Sequence, residues 1–245
     1  MTTNKKNHGV VLITGASSGI GRDLALEFGA RAETLVLTAR RLDRLETLRQ
    51  ELLERYPGLK VVVLAADLSN EPDTERLLAQ VSEQAGAVAV LVNNAGVGDS
   101  VLFDCAKWER TRQIVQTNIF AVAQLTSALV PGMVERRRGG VLNIGSGAGL
   151  TVLPNAAAYV GSKHFVAGFS EALRADLSGT GVTVTQVCPG PVESESIKCP
   201  ALRVAWPERP RNSSGSLPPS VREKRWPDSS AERPESFQAG PIDLS

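Results

Sequence analysis

Cysteine is scarce in this 245-residue chain, and its three copies lie far apart. Cys105, Cys188 and Cys199 form no CxxC pair, whereas a disulfide framework or a structural zinc site needs closely spaced cysteines. The two histidines, His8 and His164, match no nucleophile or metal pattern and are interpreted as structural. The sequence therefore predicts no metal centre, and it favours a reducing compartment, the cytoplasm, as the location.

A surplus of charge of one sign is also lacking. Lysine and arginine number 27 and aspartate and glutamate 26, so the net charge is +1 and supplies no bulk field for a polyanion. Long apolar runs are missing as well, since none approaches the roughly 18 residues that a membrane span needs, and residues 1–9 are polar. We therefore expect no nucleic-acid partner, no membrane span and no signal peptide.

Proline is sparse up to residue 192 and frequent beyond it. Residues 193–245 hold 8 of the 14 prolines, and only 15 of these 53 residues are apolar, against 42% for the whole chain. The prolines interrupt every window in which a helix could grow, which is typical of a disordered segment. We divide the chain into a folded domain, residues 1–192, and a Pro/Ser-rich tail, residues 193–245. The tail is expected to be disordered or aberrant, as a shifted reading frame or a truncation would make it.

Residues 9–192 alternate short β-branched runs with segments of helical period. Six strands are predicted, at Val10–Ile13, Leu35–Thr38, Val61–Ala65, Val88–Val92, Val141–Ile144 and Val182–Val187. Each run is apolar almost throughout, as in a sheet covered on both faces, and the leucines between the runs recur at spacings of three and four. The pattern predicts one α/β domain of Rossmann type, a doubly wound parallel sheet with right-handed crossovers.

A glycine-rich segment, Thr14–Gly21, follows the first predicted strand and opens into a helical pattern. Gly15 permits a tight turn, Gly19 lets the backbone approach a pyrophosphate, and Gly21 lets the helix pack on the strand. The free N–H groups at the helix start then face the anion. This predicts a dinucleotide site, although an ordinary glycine-rich turn stays open on this segment alone.

The end of the second predicted strand carries Ala39, Arg40 and Arg41. A site for NAD would place an acidic residue there, on the ribose 2′-hydroxyl, whereas an arginine pairs with a 2′-phosphate. Arg40 therefore favours NADP over NAD. A solvated basic loop residue is the alternative interpretation.

A tyrosine and a lysine, Tyr159 and Lys163, stand four residues apart, with Ser146 thirteen residues before the tyrosine and Asn118 earlier still. This spacing puts the tyrosine and the lysine on one face of a helix. A nearby ammonium favours phenolate over phenol, which makes a tyrosine a usable general acid or base. Alone, the two residues could equally be an exposed surface pair.

Together these patterns resemble the short-chain dehydrogenase/reductase family over residues 9–194. The family motifs stand in family order and spacing as Thr14–Gly21 (TGxxxGIG), Asp67-Leu68, Asn93–Gly96 (NNAG), Asn118 in a predicted helix Gln113–Leu129, Ser146, Tyr159–Lys163 (YxxxK) and Pro189–Val192 (PGPV). Such a conjunction of motifs implies the family's Rossmann fold and a nicotinamide cofactor.

The resemblance implies four catalytic residues. Tyr159 would protonate the carbonyl oxygen as hydride arrives, or take the alcohol proton in the reverse direction. Ser146 would donate a hydrogen bond to the same oxygen. Lys163 would hold the nicotinamide ribose and keep the tyrosine acidic, and Asn118 would bind a water that links the lysine to solvent.

The resemblance also implies the cofactor contacts. The residues concerned are Gly15, Ser17, Ser18, Gly19, Ile20, Gly21, Arg40, Asp67, Leu68, Asn93, Ala95, Gly96, Tyr159, Lys163, Pro189, Gly190, Val192 and Ser194. Asp67 would accept a hydrogen bond from the adenine, Asn93 and Gly96 would line the adenosine side, and Val192 and Ser194 would meet the carboxamide. Taken alone, Asp67 could equally be the N-cap of the helix after Ser69, and Asn93–Gly96 a simple turn.

Two functions remain open. The first is an NADP-dependent oxidoreductase that acts on a small-molecule carbonyl or secondary alcohol, with residues 1–192 as its dinucleotide-binding catalytic domain. The second is a catalytically impaired or inactive dinucleotide-binding protein, because the family's substrate lid and seventh strand are not readable after Ser194. Family habit implies a homodimer or homotetramer built on the helices around Asn118 and Tyr159.

Overall fold

The computed structural model of the chain describes residues 8–190. Within them six strands form one sheet: β1 Val10–Thr14, β2 Thr34–Ala39, β3 Lys60–Ala65, β4 Val88–Asn93, β5 Gly139–Ile144 and β6 Val182–Val187. The strands are all parallel and lie in the order β3-β2-β1-β4-β5-β6. This confirms the predicted Rossmann-type sheet, whose strand order reverses between β1 and β4.

Six α-helices join the strands: α1 Gly19–Gly29, α2 Leu42–Arg55, α3 Glu71–Gln84, α4 Trp108–Val115, α5 Ala121–Glu135 and α6 Ala157–Asp176. The leucine spacing of α2 explains its packing, since Leu45, Leu48 and Leu52 share one face and are all buried. Short 3₁₀ turns at Phe103–Cys105 and Gly147–Gly149 lie in the connections before α4 and α6.

The sheet separates two apolar cores. Successive residues of a strand point to opposite faces, so Leu12 of the central strand packs into one core while Val11 and Ile13 pack into the other. All three side chains are completely buried. Both faces of the central strand are thus covered, which is why its sequence reads as an apolar run from Val10 to Ile13.

The predicted helix Gln113–Leu129 is longer than expected. Helical structure runs without a break from Trp108 to Glu135, as α4, a π-helix at Gln116–Phe120, and α5. By length and composition alone this stretch could cross a membrane, but the core helix of a soluble protein passes the same test. Its C-terminal part packs in the core through Leu125 and Met133, as a core helix does.

The described part of the sheet ends at β6, which pairs with β5 on one side. Residues 191–245, including the tail of residues 193–245 and two expected cofactor contacts, Val192 and Ser194, lie outside the described residues.

Candidate functional site

A groove opens at the carboxyl ends of the strands, beside the reversal between β1 and β4 where such sheets bind ligands. Its lining consists of Gly15, Ser17, Ser18, Ala39, Arg40, Arg41, Ala66, Asp67, Leu68, Asn94, Ala95, Gly96, Val97, Gln113 and Thr117. The structure thus brings together the glycine loop, the arginines after β2, the Asp67-Leu68 pair and the segment after β4.

The glycine loop is held against the segment after β4. Asn94 Nδ2 donates to the carbonyl oxygens of Thr14 (2.8 Å) and Gly15 (3.2 Å). Thr14 Oγ1 in turn accepts from the backbone N–H of Asn94 at 3.0 Å. A Cβ at Gly21 would lie 2.4 Å from both Asn94 Nδ2 and the Gly15 oxygen, so only glycine fits there. Gly15 itself has φ 66°, a left-handed conformation that glycine adopts readily.

Two arginines lie at the end of β2, and they are placed differently. The Arg41 Nη2 atom donates to the hydroxyl oxygens of Ser17 (3.3 Å) and Ser18 (3.1 Å). Arg40, on which the sequence analysis relied, lines the groove but is exposed. The basic residue that contacts the glycine loop is therefore Arg41. The double arginine was the available signal, but it did not say which side chain turns toward the loop.

Asp67 lies at the end of β3 and shapes the turn that follows. Its Oδ1 atom accepts from the backbone N–H of Ser69 at 3.0 Å and from the Ser69 hydroxyl at 2.7 Å. The N-cap of α3 is Asn70, so the alternative interpretation of Asp67 as the N-cap is wrong. Asp67 and Leu68 both line the groove.

The expectation that Asn93 lines the adenosine side is contradicted for its side chain. Asn93 is 4% exposed, and its Nδ2 atom donates to Thr126 Oγ1 (3.1 Å) and Asn143 Oδ1 (2.9 Å). The reason is strand alternation, which turns the last residue of β4 into the core and leaves Asn94 and its successors to line the groove. Asn93 thus joins β4 to α5 and β5.

Tyr159 and Lys163 lie one turn apart on α6, as their spacing predicted. The Nζ atom of Lys163 is 5.9 Å from the centre of the Tyr159 ring and donates to the carbonyl oxygen of Ile144 at 2.8 Å. Lys163 is only 6% exposed. Burial lowers the pKa of Lys163 to about 8, although the charge of the neighbouring Cys188 acts in the raising direction.

Lys163 reaches the groove beside Gly96. A Cβ at Gly96 would lie 3.6 Å from Lys163 Nζ and 3.5 Å from Asn118 Oδ1. The ammonium group therefore lies behind the groove wall at Gly96, while Lys163 itself is not among the residues that line the groove.

Ser146 follows β5 and begins the 3₁₀ turn at Gly147–Gly149. Its Oγ atom accepts from the backbone N–H of Ala148 at 3.1 Å. A Cβ at Gly149 would lie 2.6 Å from the carbonyl oxygen of Lys163, so the turn packs directly against α6. The serine is thereby held beside the tyrosine and lysine helix, two residues after the carbonyl group that binds the lysine.

Asn118 lies in the π-helix and is 1% exposed. Its Oδ1 atom accepts from the backbone N–H of Val97 at 2.9 Å, and its Nδ2 atom donates to the Val97 carbonyl and to Ser162 Oγ, both at 2.9 Å. The side chain thus joins the segment after β4 to α6. The water contact that the resemblance implies stays a prediction.

The remaining expected residues are partly described. The Pro189 carbonyl accepts from the backbone N–H of Gly147 at 3.0 Å, which brings the PG turn beside Ser146. Gly190 is the last described residue. His164 contacts its own helix through Nδ1 and the Val160 carbonyl, 3.0 Å apart. Within residues 8–190 no group of three or more His, Cys, Asp or Glu side chains is arranged to hold a metal ion.

Comparison with known proteins is consistent across sequence and structure. A model of the short chain dehydrogenase family matches residues 9–199. An uncharacterised oxidoreductase of Myxococcus xanthus is 41% identical over 184 residues, 75% of this chain and 72% of the relative. A sulfoacetaldehyde reductase of Chromohalobacter salexigens is 39% identical over 190 residues, 76% of this chain and 73% of the relative.

Among solved structures, the fold is similar to that of a short-chain dehydrogenase from Sphingobium yanoikuyae in complex with NADPH. The TM-score is 0.72 at 34% sequence identity, and the match covers 77% of this chain and 73% of the other. A family model over most of the chain, relatives near 40% identity and a shared fold agree with the groove, the glycine loop and the tyrosine and lysine pair. The chain therefore belongs to the short-chain dehydrogenase family and is an oxidoreductase of that family.

Proposed function

We propose that this protein transfers hydride between NADP(H) and a small-molecule carbonyl or secondary alcohol. The observation that carries the proposal is the placement of Tyr159 on the same helix face as the buried Lys163, whose ammonium lies beside the groove wall at Gly96. A cation held in a buried position favours the ionised form of a neighbouring phenol. That arrangement suits proton transfer to and from an oxygen bound at this end of the groove.

Each side chain has a definable task in the proposed reaction. When bound, NADPH supplies the hydride. Tyr159 donates its phenolic proton to the substrate oxygen on which negative charge develops. The Ser146 oxygen already accepts from the Ala148 N–H, so the serine hydroxyl proton is left to donate to the same substrate oxygen. Lys163 stabilises the resulting phenolate.

The residues that line the groove suit a dinucleotide with a 2′-phosphate, such as NADP. The glycine loop leaves no room for side chains at Gly15 and Gly21, and the α1 N-terminus follows it directly, as in a pyrophosphate site. Arg40 and Arg41 supply positive charge where an NAD site carries an acidic residue. The bound NADPH of the Sphingobium yanoikuyae dehydrogenase supports the same choice for this chain.

Replacement of Tyr159 by phenylalanine tests the proposal. We expect Tyr159→Phe to lower kcat by about 10²- to 10⁴-fold, because a general acid is lost, while the Kd for NADPH changes less than about twofold. Tyr56→Phe is the matched control, since the Tyr56 hydroxyl donates to the Leu26 carbonyl at 2.8 Å and does not line the groove. The Kd for NADPH is measured by NADPH fluorescence. The kcat is measured from turnover with a panel of carbonyl compounds.

The outcomes separate this proposal from the alternative of an inactive dinucleotide-binding protein. NADPH binding without oxidation of NADPH by any compound of the panel would favour that alternative. A wild-type protein that binds no NADPH would defeat both.

The choice of NADP rests on the two arginines and is tested separately. We expect Arg41→Ala to weaken NADPH binding by about 10- to 100-fold, the effect of losing one charge-assisted contact, and to leave the Kd for NADH nearly unchanged. Arg40→Ala should have a smaller effect, because Arg40 is exposed and Arg41 is the arginine that donates to Ser17 and Ser18. Preference for NADH in the wild-type protein would contradict the choice.

We further propose a homodimer or homotetramer in the cytoplasm. The surface between α3 and the helical stretch Trp108–Glu135 carries Phe120, which is 58% exposed, beside small residues including Ala123 and Ser127. An exposed aromatic side chain among small neighbours suits a close helix contact between subunits.

A further inference from the structure

The connection between β4 and α4 forms one wall of the groove, and the helix holds it in place. Its residues 95–97 line the groove, and Gly98, which follows, is buried. Asn118 fixes this connection at Val97 by a pair of hydrogen bonds, each 2.9 Å long. The proposed function assigns no task to the next residue along the wall.

Arg110, on the first turn of α4, contacts the wall at that next residue. Its Nη2 atom donates to the Gly98 carbonyl oxygen, and its Nη1 atom donates to Gln113 Oε1 at 2.5 Å. Gln113 is one of the residues that line the groove. One planar guanidinium thus joins a buried backbone carbonyl of the wall to a groove side chain through two separately placed nitrogens, a fork that the compact ammonium of a lysine does not reproduce.

The same connection continues toward the segment before α6, the helix that carries Tyr159. The backbone N–H of Val101 donates to the Asn155 carbonyl at 2.6 Å, and Asn155 lies four residues before Tyr159. The connection is therefore fixed at Val97 by Asn118, at Gly98 by Arg110 and at Val101 by the segment before α6. Removal of the contact at Gly98 leaves this stretch fixed at Val97 and Val101, while Asn94 and Ala95 are still held by Thr14.

We propose that Arg110 is a positioning residue for the cofactor groove, which fixes the wall at Gly98 and the Gln113 side chain together. The inference rests on the proposed binding of NADPH in this groove. Because Arg110 acts on the wall and not on the reacting atoms, its removal should weaken cofactor binding more than it slows the chemical step.

The test compares Arg110→Met with Arg112→Met. Methionine keeps an unbranched apolar stem and removes every donor, and Arg112 is an exposed residue on the same helix, outside the groove. We expect Arg110→Met to raise the Kd and KM for NADPH by about tenfold, with kcat at saturating NADPH within about twofold of wild type. Arg110→Lys should be intermediate, because the ammonium keeps the charge and its donors but not the planar fork that reaches both acceptors. Equal Kd values for Arg110→Met and Arg112→Met would overturn the proposal.

Hydrogen exchange of the cofactor-free protein separates this inference from the proposed function. Backbone amides of residues 94–101 should exchange faster in Arg110→Met than in wild type or Arg112→Met, while exchange in the strands is unchanged. This readout holds even if the wild-type protein binds no NADPH, an outcome that defeats the proposed function alone. Should Arg110→Met fail to fold, Arg110→Lys replaces it, and exchange identical to wild type at residues 94–101 then overturns the inference.

Discussion

Burial of the Lys163 ammonium makes the free energy of unfolding depend on pH. In the folded protein the pKa of this lysine is lowered to about 8, whereas a lysine of the unfolded chain has the ordinary pKa of 10.5. Between these values the unfolded state binds more protons, so the free energy of unfolding rises with pH. Below about pH 8 both states are charged, and the full penalty of burying the charge is present.

We therefore expect the stability of Lys163→Met relative to wild type to fall as the pH rises. Its advantage at pH 7 should exceed that at pH 10 by on the order of 2 kcal/mol, since methionine carries no charge to bury. Urea denaturation of both proteins across this range measures the difference, and other titrating groups cancel in the comparison. A difference that does not vary with pH would show that the lysine is not destabilised by burial.

For individual residues, the sequence predicts contacts within one helix or strand better than contacts between two of them. Tyr159 and Lys163 are neighbours because the geometry of a helix makes them so. Within two pairs of adjacent identical residues, the side chains point in different directions. The pairs are Arg40 and Arg41, and Asn93 and Asn94. That direction depends on where a strand ends relative to the rest of the sheet, which spacing alone does not specify.

Among the elements, the junction of β1 and α1 accepts only glycine at one of its positions, Gly21. We expect Gly21→Ala to lower the free energy of unfolding by about 1–3 kcal/mol, because the added Cβ would lie 2.4 Å from Asn94 Nδ2 and from the Gly15 oxygen. The same variant should lose NADPH affinity, since Asn94 would no longer hold the glycine loop.

The control for this prediction lies within α6. Gly168 is exposed, and a Cβ there meets nothing within 4 Å, so Gly168→Ala should stabilise the protein by up to about 1 kcal/mol. Thermal and urea denaturation measure both variants. If the two glycines respond alike, the close packing of the loop against Asn94 is refuted.

The strands could be predicted to within two residues at either end, because strands buried on both faces read as apolar runs. The helix around Asn118 was less predictable. Its start at Trp108 is polar, and Pro131 lies inside it without ending it. The π-helix depends on contacts of Asn118 with Val97 and Ser162, which are remote in sequence.

For the molecule as a whole, the proposed assembly gives a measurable expectation. A negative charge at Phe120 would be buried without a partner if this surface joins two subunits. We expect Phe120→Glu to reduce the mass measured by light scattering to that of a smaller species, with the helical content unchanged. Phe103→Glu, also at an exposed phenylalanine but outside that surface, should leave the mass unchanged. A wild-type protein that is already a monomer would contradict the assembly.

The overall topology could be predicted because parallel strands need crossovers, and crossovers have one hand. The position of the groove follows from a second rule: ligands bind where the strand order reverses, here between β1 and β4. The role of Arg110 could not be predicted, because it depends on a carbonyl group, that of Gly98, and backbone atoms carry no sequence signal.

The wider helical turn at Gln116–Phe120 also constrains how this protein can change over evolution. A wide turn of this kind accommodates one residue more than a regular helix would. Deleting a single residue there would restore regular geometry and could even strengthen the helix. The same deletion would rotate everything before it by about 100°, so Arg110 and Gln113 would swing away from the wall that they now meet. The extra residue is thus a local irregularity that is kept because it positions Arg110 and Gln113, although a regular helix would be more stable.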